Sequence, residues 1–277
     1  MPRKQLIVNA DDFNSDPQRS AGILQAGERG IVTSTTVIAN LPFDAKTITE
    51  VKSVFNQSIG IHLNVTKGMP LTDDTKTLTG PDGRFFDKQS AWKKALSKLY
   101  DPDELTRELS AQIEVLLDNG IKPDHIDSNN HLHVFPVFAD IAAKLAARYK
   151  IKAVRIPRET FRFSDLDFSK TFMKKYFIYA LSLMAAKFFR SAGLNSPDNF
   201  NGIAFPAPMQ KAAMVDFLNQ LPGGTTELMC HPGFCSGTGS FSTPDREIEL
   251  SILTDQDIIG SIKKNNIKLI SYNDINR

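Results

Sequence analysis

Four short stretches, far apart in the chain, each end an apolar run in residues that can bind a metal or move a proton. Leu6-Ile7-Val8-Asn9-Ala10 leads into Asp11-Asp12-Phe13, and Ile59-Gly60-Ile61 leads into His62-Leu63-Asn64. The third stretch is His125-Ile126-Asp127-Ser128-Asn129-Asn130-His131-Leu132-His133, and in the fourth Leu228-Met229-Cys230 precedes His231-Pro232. Together they hold all 5 histidines. Histidine is both a metal ligand and an acid–base group near neutral pH, so this clustering at strand-like ends reads as one assembled enzyme site.

Each motif suggests a role. Adjacent carboxylates at Asp11 and Asp12 suit a division of labour, with one on a metal and the other near the water that the metal polarises; loop capping is the plainer alternative. His62 gains weight only from its companions. In an extended strand, His125, Asp127, Asn129, His131 and His133 would share one face. Positions two apart lie about 6.5 Å from each other, so one or two would be ligands and the rest would orient them or touch substrate. His231 suits an acid that protonates a leaving group, with a Cys230–His231 nucleophile pair as the weaker alternative. Arg155 and Arg158 are candidates to hold a carboxylate or bind substrate; surface ion pairs are the bland reading of both.

The elements that must position these residues alternate between strand-like and helix-like throughout. Strands are expected at the first motif, over 31–38, 58–63, 124–128, 151–156, 202–205, 226–230 and 268–271. Helices are expected over 18–28, 42–55, 103–117, 137–149, 168–189, 210–218, 245–253 and 255–265. The stretch 66–90, with its glycines and prolines, reads as a long functional loop. Repeated βα units point to an α/β fold, an irregular (β/α) TIM-like barrel of parallel strands forming a single domain over residues 1–277, with its active groups at the strands' carboxyl ends. Neither a G-x-G-x-x-G nor a Walker sequence follows the first strand, so a nucleotide-binding sheet lacks its phosphate cradle.

Composition excludes other classes. Of the 277 residues 41% are hydrophobic and 23% charged, as in soluble globular proteins, and a net charge of +2 gives no nucleic-acid footprint. The short apolar run after Met1 does not make a secretory signal, which predicts a cytoplasmic protein. The 2 cysteines, Cys230 and Cys235, are expected to stay reduced. Residues 168–190 are rich in aromatics, Leu and Met, with Lys and Arg at the edges. Their uncharged stretch falls short of the roughly 20 residues of a membrane span. A buried or dimer-forming helix and a helix lying in a membrane interface are both open.

These motifs resemble the YdjC-like carbohydrate deacetylases, which include chito-oligosaccharide and hopanoid-associated deacetylases. The likeness runs from Ile7 to Phe13 through Gly30-Ile31-Val32-Thr33-Ser34-Thr35-Thr36, Gly60 to Leu63, Asp127-Ser128 with His131-Leu132-His133 and Pro136, and Met229 to Pro232. The stretch Ala192 to Asp198 looks closer to the hopanoid-associated branch. The resemblance implies a barrel, often homodimeric, that removes an N-acetyl group from an amino sugar with a divalent ion, magnesium or zinc. By the family pattern Asp11 is the base, Asp12 and His62 are metal ligands and His231 is the acid. Relatives usually carry histidine as third ligand where this chain has Asn129, a poorer partner for zinc, and His131 is the available substitute. A sugar-binding or regulatory protein with a degenerate metal site is therefore the rival expectation.

Overall fold

The strand β1 (Lys4–Phe13) reads as an almost unbroken apolar run because it is covered on both faces: Leu6, Ile7, Val8 and Ala10 are all fully buried. The computed structural model describes residues 2–56, 58–159, 170–205, 208–235 and 243–275, without the side chains of 170–172. The other strands are β2 (Ser34–Val37), β3 (Ile59–Leu63), β4 (His125–Ser128), β5 (Ala153–Val154), β6 (Asn199–Asn201), β7 (Gly224–Cys230) and β8 (Lys268–Leu269). All described pairings between them are parallel, in the order β5-β4-β3-β2-β1-β7-β6, with β8 beside the amino end of β1. Two isolated parallel bridges, Ala153 to Asn195 and Glu159 to Phe200, bring the β5 edge round to β6. This is the expected irregular α/β barrel.

Helices cover the outside: α1 (Pro17–Arg29), α2 (Ala45–Val54), α3 (Lys88–Leu96), α4 (Pro102–Asp118), α5 (Pro136–Tyr149), α6 (Lys170–Ser191), α7 (Lys211–Asn219), α8 (Pro244–Leu253) and α9 (Gln256–Lys264). Five of them start at an aspartate whose carboxylate accepts from first-turn N–H groups: Asp16, Asp44, Asp87, Asp101 and Asp255. The periodicity of residues 91–102 gave no expectation of α3. The strand expected over 202–205 is displaced to β6, and the one over 151–156 is only two residues long. Helix α6 buries Ile178, Leu181, Ala185 and Phe189, while Met173, Tyr176, Leu183, Met184 and Phe188 stay exposed. Among the described residues no helix is long and apolar enough to cross a membrane.

Alternation along β1 sorts its side chains into two layers. Leu6, Val8 and Ala10 join the large core that includes the helices, whereas Ile7 joins Ala153, Ile270, Tyr272 and Ile275 in a small cluster at the barrel floor. Asn9 and Asp11 follow Ile7 on the inner face. Register then shifts: Ala10 pairs with Thr35 and Phe13 with Val37, so two residues oppose one, and Asp12 takes a left-handed φ of 68°. This bulge re-aims Asp12, which simple alternation would send outward, towards the same cavity as Asp11.

The carboxyl end of β7 is held against α1 with no room to spare. A Cβ on Gly22 would lie 2.4 Å from the Gly233 Cα, in the loop that carries His231. Gly22→Ala should therefore lower unfolding stability by about 1–3 kcal/mol through overpacking, measured by denaturant titration. An unchanged midpoint would mean that α1 and the loop separate freely.

Candidate metal and acid–base site

The barrel mouth opens into a cavity of about 310 Å³ whose walls include Asp11, Asp12, His62, Asn129, His131 and His231. That volume lies at the small end of ligand pockets. Register explains the gathering. Ala10 pairs with Cys230, so Asp11 and His231 leave neighbouring strands side by side. His62 pairs with Asp127, and Ile126 with Val154, which sets Arg155 beside Asp127.

Arg155, fully buried, lies under the cavity floor and joins three carboxylates. Its NH1 and NH2 donate to the two oxygens of Asp11, each at 2.6 Å. NH1 also meets Asp127 Oδ2 at 2.7 Å, and Nε donates to Glu227 Oε1 at 2.8 Å. Tyr272 donates its hydroxyl proton to the other Glu227 oxygen. Burial works against the guanidinium charge, but Asp11, Asp127 and Glu227 outweigh it and push the Arg155 pKa up. Glu227 is itself pushed up by burial.

The same logic sets His62. Its Nδ1 lies 2.6 Å from Asp127 Oδ1 and 3.1 Å from the Thr36 hydroxyl, which leaves Nε2 facing Asp12 Oδ1 at 3.4 Å. Burial opposes a charged imidazole, yet the charge and hydrogen bonds of Asp127 and Asp12 raise its pKa to about 10. Burial likewise works against the Asp12 carboxylate, but the hydrogen bond and charge of His62 hold its pKa well below the usual range. Asn129 donates its amide to Asp12 at 3.0 Å and accepts from Thr66 Oγ1 at 2.9 Å.

His231 Nε2 lies 4.0 Å from Asp11 Oδ2. Its main chain is gripped from both sides: the N–H donates to Glu249 at 2.8 Å, and the carbonyl accepts from Arg19 at 3.2 Å. Burial lowers its pKa against the pull of Asp11 and Glu249, which favours the neutral ring. The neighbouring Cys230 points away. Its thiol donates to the Asn9 carbonyl at 3.3 Å, and burial pushes its pKa well up, so the nucleophile-pair reading fails. Both cysteines are free thiols, as expected.

The five-residue face expected over 125–133 is not formed. β4 ends at Ser128, and residues 129–134 make a 3-10 turn in which Asn130 and His131 take left-handed φ angles of 57° and 58°. Asn129 and His131 therefore reach the cavity by a turn. His133 passes behind, between Ser128 Oγ at 2.7 Å and the Arg155 carbonyl at 3.0 Å, and burial takes its pKa down to about 3. His125 lies at the other end of β4, bound to Asp124 at 2.6 Å and stacked on Tyr272 at 3.7 Å. It belongs to the barrel floor, so not all five histidines join one site. Arg158 lies outside the cavity, with NH2 3.5 Å from the Asp198 carbonyl. Sequence reasoning gave no role to Thr36, Glu227 or Glu249. Thr36 stood within the family likeness, and Glu227 left a signal as an acid leading into the apolar run Leu228-Met229-Cys230.

The comparisons with known proteins agree with this architecture. The model of the YdjC-like protein family matches residues 5–264. The chain belongs to the YdjC-like family. Relatives named carbohydrate deacetylase include one from Listeria monocytogenes, 32% identical over 98% of this chain and 100% of its own length, and one from Clostridium beijerinckii, 29% identical over 98% and 100%. The fold matches a crystal structure from Enterococcus faecalis V583, of a protein named for cellobiose-phosphate cleavage. The TM-score is 0.77 at 24% identity, covering 99% of this chain and 100% of that one.

Two donor sets in this YdjC-like chain could hold a divalent ion. Asp11, His62 and Asp127 offer ligand atoms within 4.8 Å of one another. Arg155 already bridges those two carboxylates, so a cation among them would face a buried guanidinium. Asp12 and His62 Nε2 lie on the cavity side, where Asp12 feels the charges of Arg19 and Lys67, and rotating the Asn129 amide would turn its oxygen towards Asp12. His131 Nδ1, buried and without a hydrogen-bond partner, lines the same space. A carboxylate, an imidazole and an amide oxygen fit a hard cation better than zinc.

Two outcomes are expected. Arg155→Met should cost about 3–5 kcal/mol of stability by leaving buried carboxylates uncompensated, read by denaturant unfolding near pH 7; wild-type stability would show that water replaces the guanidinium. Because His62 carries a proton up to about pH 10, taking up Mg2+ or Mn2+ at pH 8 should release about one proton per site, with affinity rising as pH rises. Calorimetry in buffers of different ionisation heat counts the proton, and a count of zero removes His62 from the ligand set.

Proposed function

We propose that this chain hydrolyses the N-acetyl amide of an N-acetylglucosamine-type sugar, with help from a divalent cation held by Asp12, His62 and Asn129. The observation that carries the reading is the opposition of Asp11 and His231, 4.0 Å apart on the wall of the cavity that also holds Asp12 and His62. Relatives along the whole chain are named carbohydrate deacetylase.

When bound, such a cation supplies Lewis acidity that polarises the amide carbonyl and acidifies a water. The residues of the chain do the rest. Arg155 fixes the plane of the Asp11 carboxylate; Oδ1 also accepts from the Asn9 amide at 2.9 Å, whereas Oδ2, which faces His231, keeps a lone pair for the cavity. Asp11 takes one proton from the attacking water. His231, neutral at rest, receives that proton and delivers it to the amide nitrogen as the carbon–nitrogen bond breaks. The products are acetate and an amine, so one water is consumed and no redox partner is required.

A second reading rests on Asn129, which replaces an imidazole by a weaker ligand. In that reading the protein binds an amino sugar without turning it over.

Acetate release from a panel of N-acetylated sugars, with Mg2+, Mn2+ or Zn2+ added, separates the two. Turnover should fall about 10²–10⁴-fold in Asp11→Asn and in His231→Ala, with sugar binding retained. Sugar binding without acetate release under every metal would establish the second reading.

A further inference from the structure

Helix α6 is apolar on both of its sides. Ile178, Leu181, Ala185 and Phe189 face the core, whereas Met173, Tyr176, Leu183, Met184 and Phe188 are between 38% and 58% exposed. The exposed set, with Ala180 in its middle, recurs every three or four residues and so forms one continuous stripe. From Met173 to Phe188, at about 1.5 Å per residue, it runs about 22 Å along the helix. A surface helix ordinarily turns polar residues outward, and an exposed apolar surface of this extent marks a place of contact.

The charge around the stripe has one sign. Residues 170–190 contain five Lys or Arg and no Asp or Glu; residues 88–99, which include α3, contain four Lys and again no acid. The two helices are neighbours, since the Trp92 ring of α3 lies 5.6 Å from the Phe177 ring of α6. Lys175 is buried and meets Glu159 at 3.6 Å, but Lys187 and Arg190 stay exposed at the end of the stripe. A chain whose net charge is only +2 thus gathers nine cations and no anion in two adjoining segments.

We propose that the α6 stripe docks this protein onto an anionic lipid surface. A helix with an apolar stripe and basic edges settles in the plane of the interface, its apolar side at the acyl boundary. Tyrosine is suited to headgroup level, and the stems of Lys and Arg reach past apolar surface to keep their charge in water. A second copy of the chain is the poorer occupant. A two-fold interface sets one patch against itself, and α6 supplies cations but no acid to meet them. Because Lys88 and Lys174 also line the barrel-mouth cavity, docking would hold that mouth at the bilayer surface. The inference does not depend on the deacetylase reading.

Flotation of the full chain with phosphatidylcholine vesicles, with and without phosphatidylglycerol, tests the surface. Binding to the anionic vesicles should be about tenfold or more tighter than to phosphatidylcholine alone, and should weaken in about 0.5 M salt. Leu183→Glu with Phe188→Glu should reduce it about tenfold or more, and Lys187→Glu with Arg190→Glu should remove the anionic preference. These side chains are exposed, so circular dichroism and denaturant midpoints should match the wild type. Lys122→Glu with Lys152→Glu, on the barrel floor, makes the same change in net charge and should bind as the wild type does. Wild-type protein that floats with neither vesicle, or a floor variant that loses as much binding as the α6 variants, overturns the proposal. So does light scattering that shows a dimer broken by Leu183→Glu without any vesicle binding, which would give the stripe to a second copy.

Discussion

A single buried guanidinium organises the barrel mouth. Arg155 follows the two-residue strand β5, yet it contacts Asp11 on β1, Asp127 on β4 and Glu227 on β7. These contacts cross the barrel interior, so Arg155 ties together strands that lie far apart in the sheet order. A buried cation with one carboxylate would leave much of its donor fork unused; three carboxylates fill it. The arrangement is costly to desolvate and stable only as a set. It therefore fixes where Asp11 and Asp127 can be, and through Asp127 it fixes the face that His62 turns to the cavity.

Geometry above this network divides labour between chemically similar groups. Asp11 and Asp12 are neighbours in sequence with different surroundings: one is forked by arginine, the other is open to the cavity beside His62 and Asn129. Among the histidines, burial and partners set the charge. His62, between two carboxylates, stays protonated to about pH 10, whereas His133, with a hydroxyl and a carbonyl, is neutral above about pH 3. His231 is also driven towards neutrality by burial, which suits the proton transfer proposed for it.

The fold was readable because buried parallel strands and amphipathic helices leave different periodicities. The runs ending at Asp11, His62, Asp127 and His231 marked the carboxyl ends of four strands, and their convergence followed from barrel topology. Where local patterning was weak, the reading failed. Helix α3 is short and carries few apolar residues, and β6 is three residues with only Phe200 buried. The stretch 129–134 misled because its polar alternation reads as a strand face, whereas the chain turns there through left-handed Asn130 and His131.

By itself, then, the chain determined its family, its parallel α/β plan and the strand ends that carry Asp11, Asp12, His62, Asn129, His131 and His231, because hydrophobic runs and their polar ends are written locally. Only the tertiary structure decided which of these side chains share a cavity and in which charge state. The β1 bulge turned Asp12 inward, left-handed Asn130 and His131 separated His133 from the mouth, and His125 went to the floor beside Tyr272. Those outcomes depend on contacts between residues tens to hundreds of positions apart, and on burial, which shifts a pKa according to the whole surrounding fold.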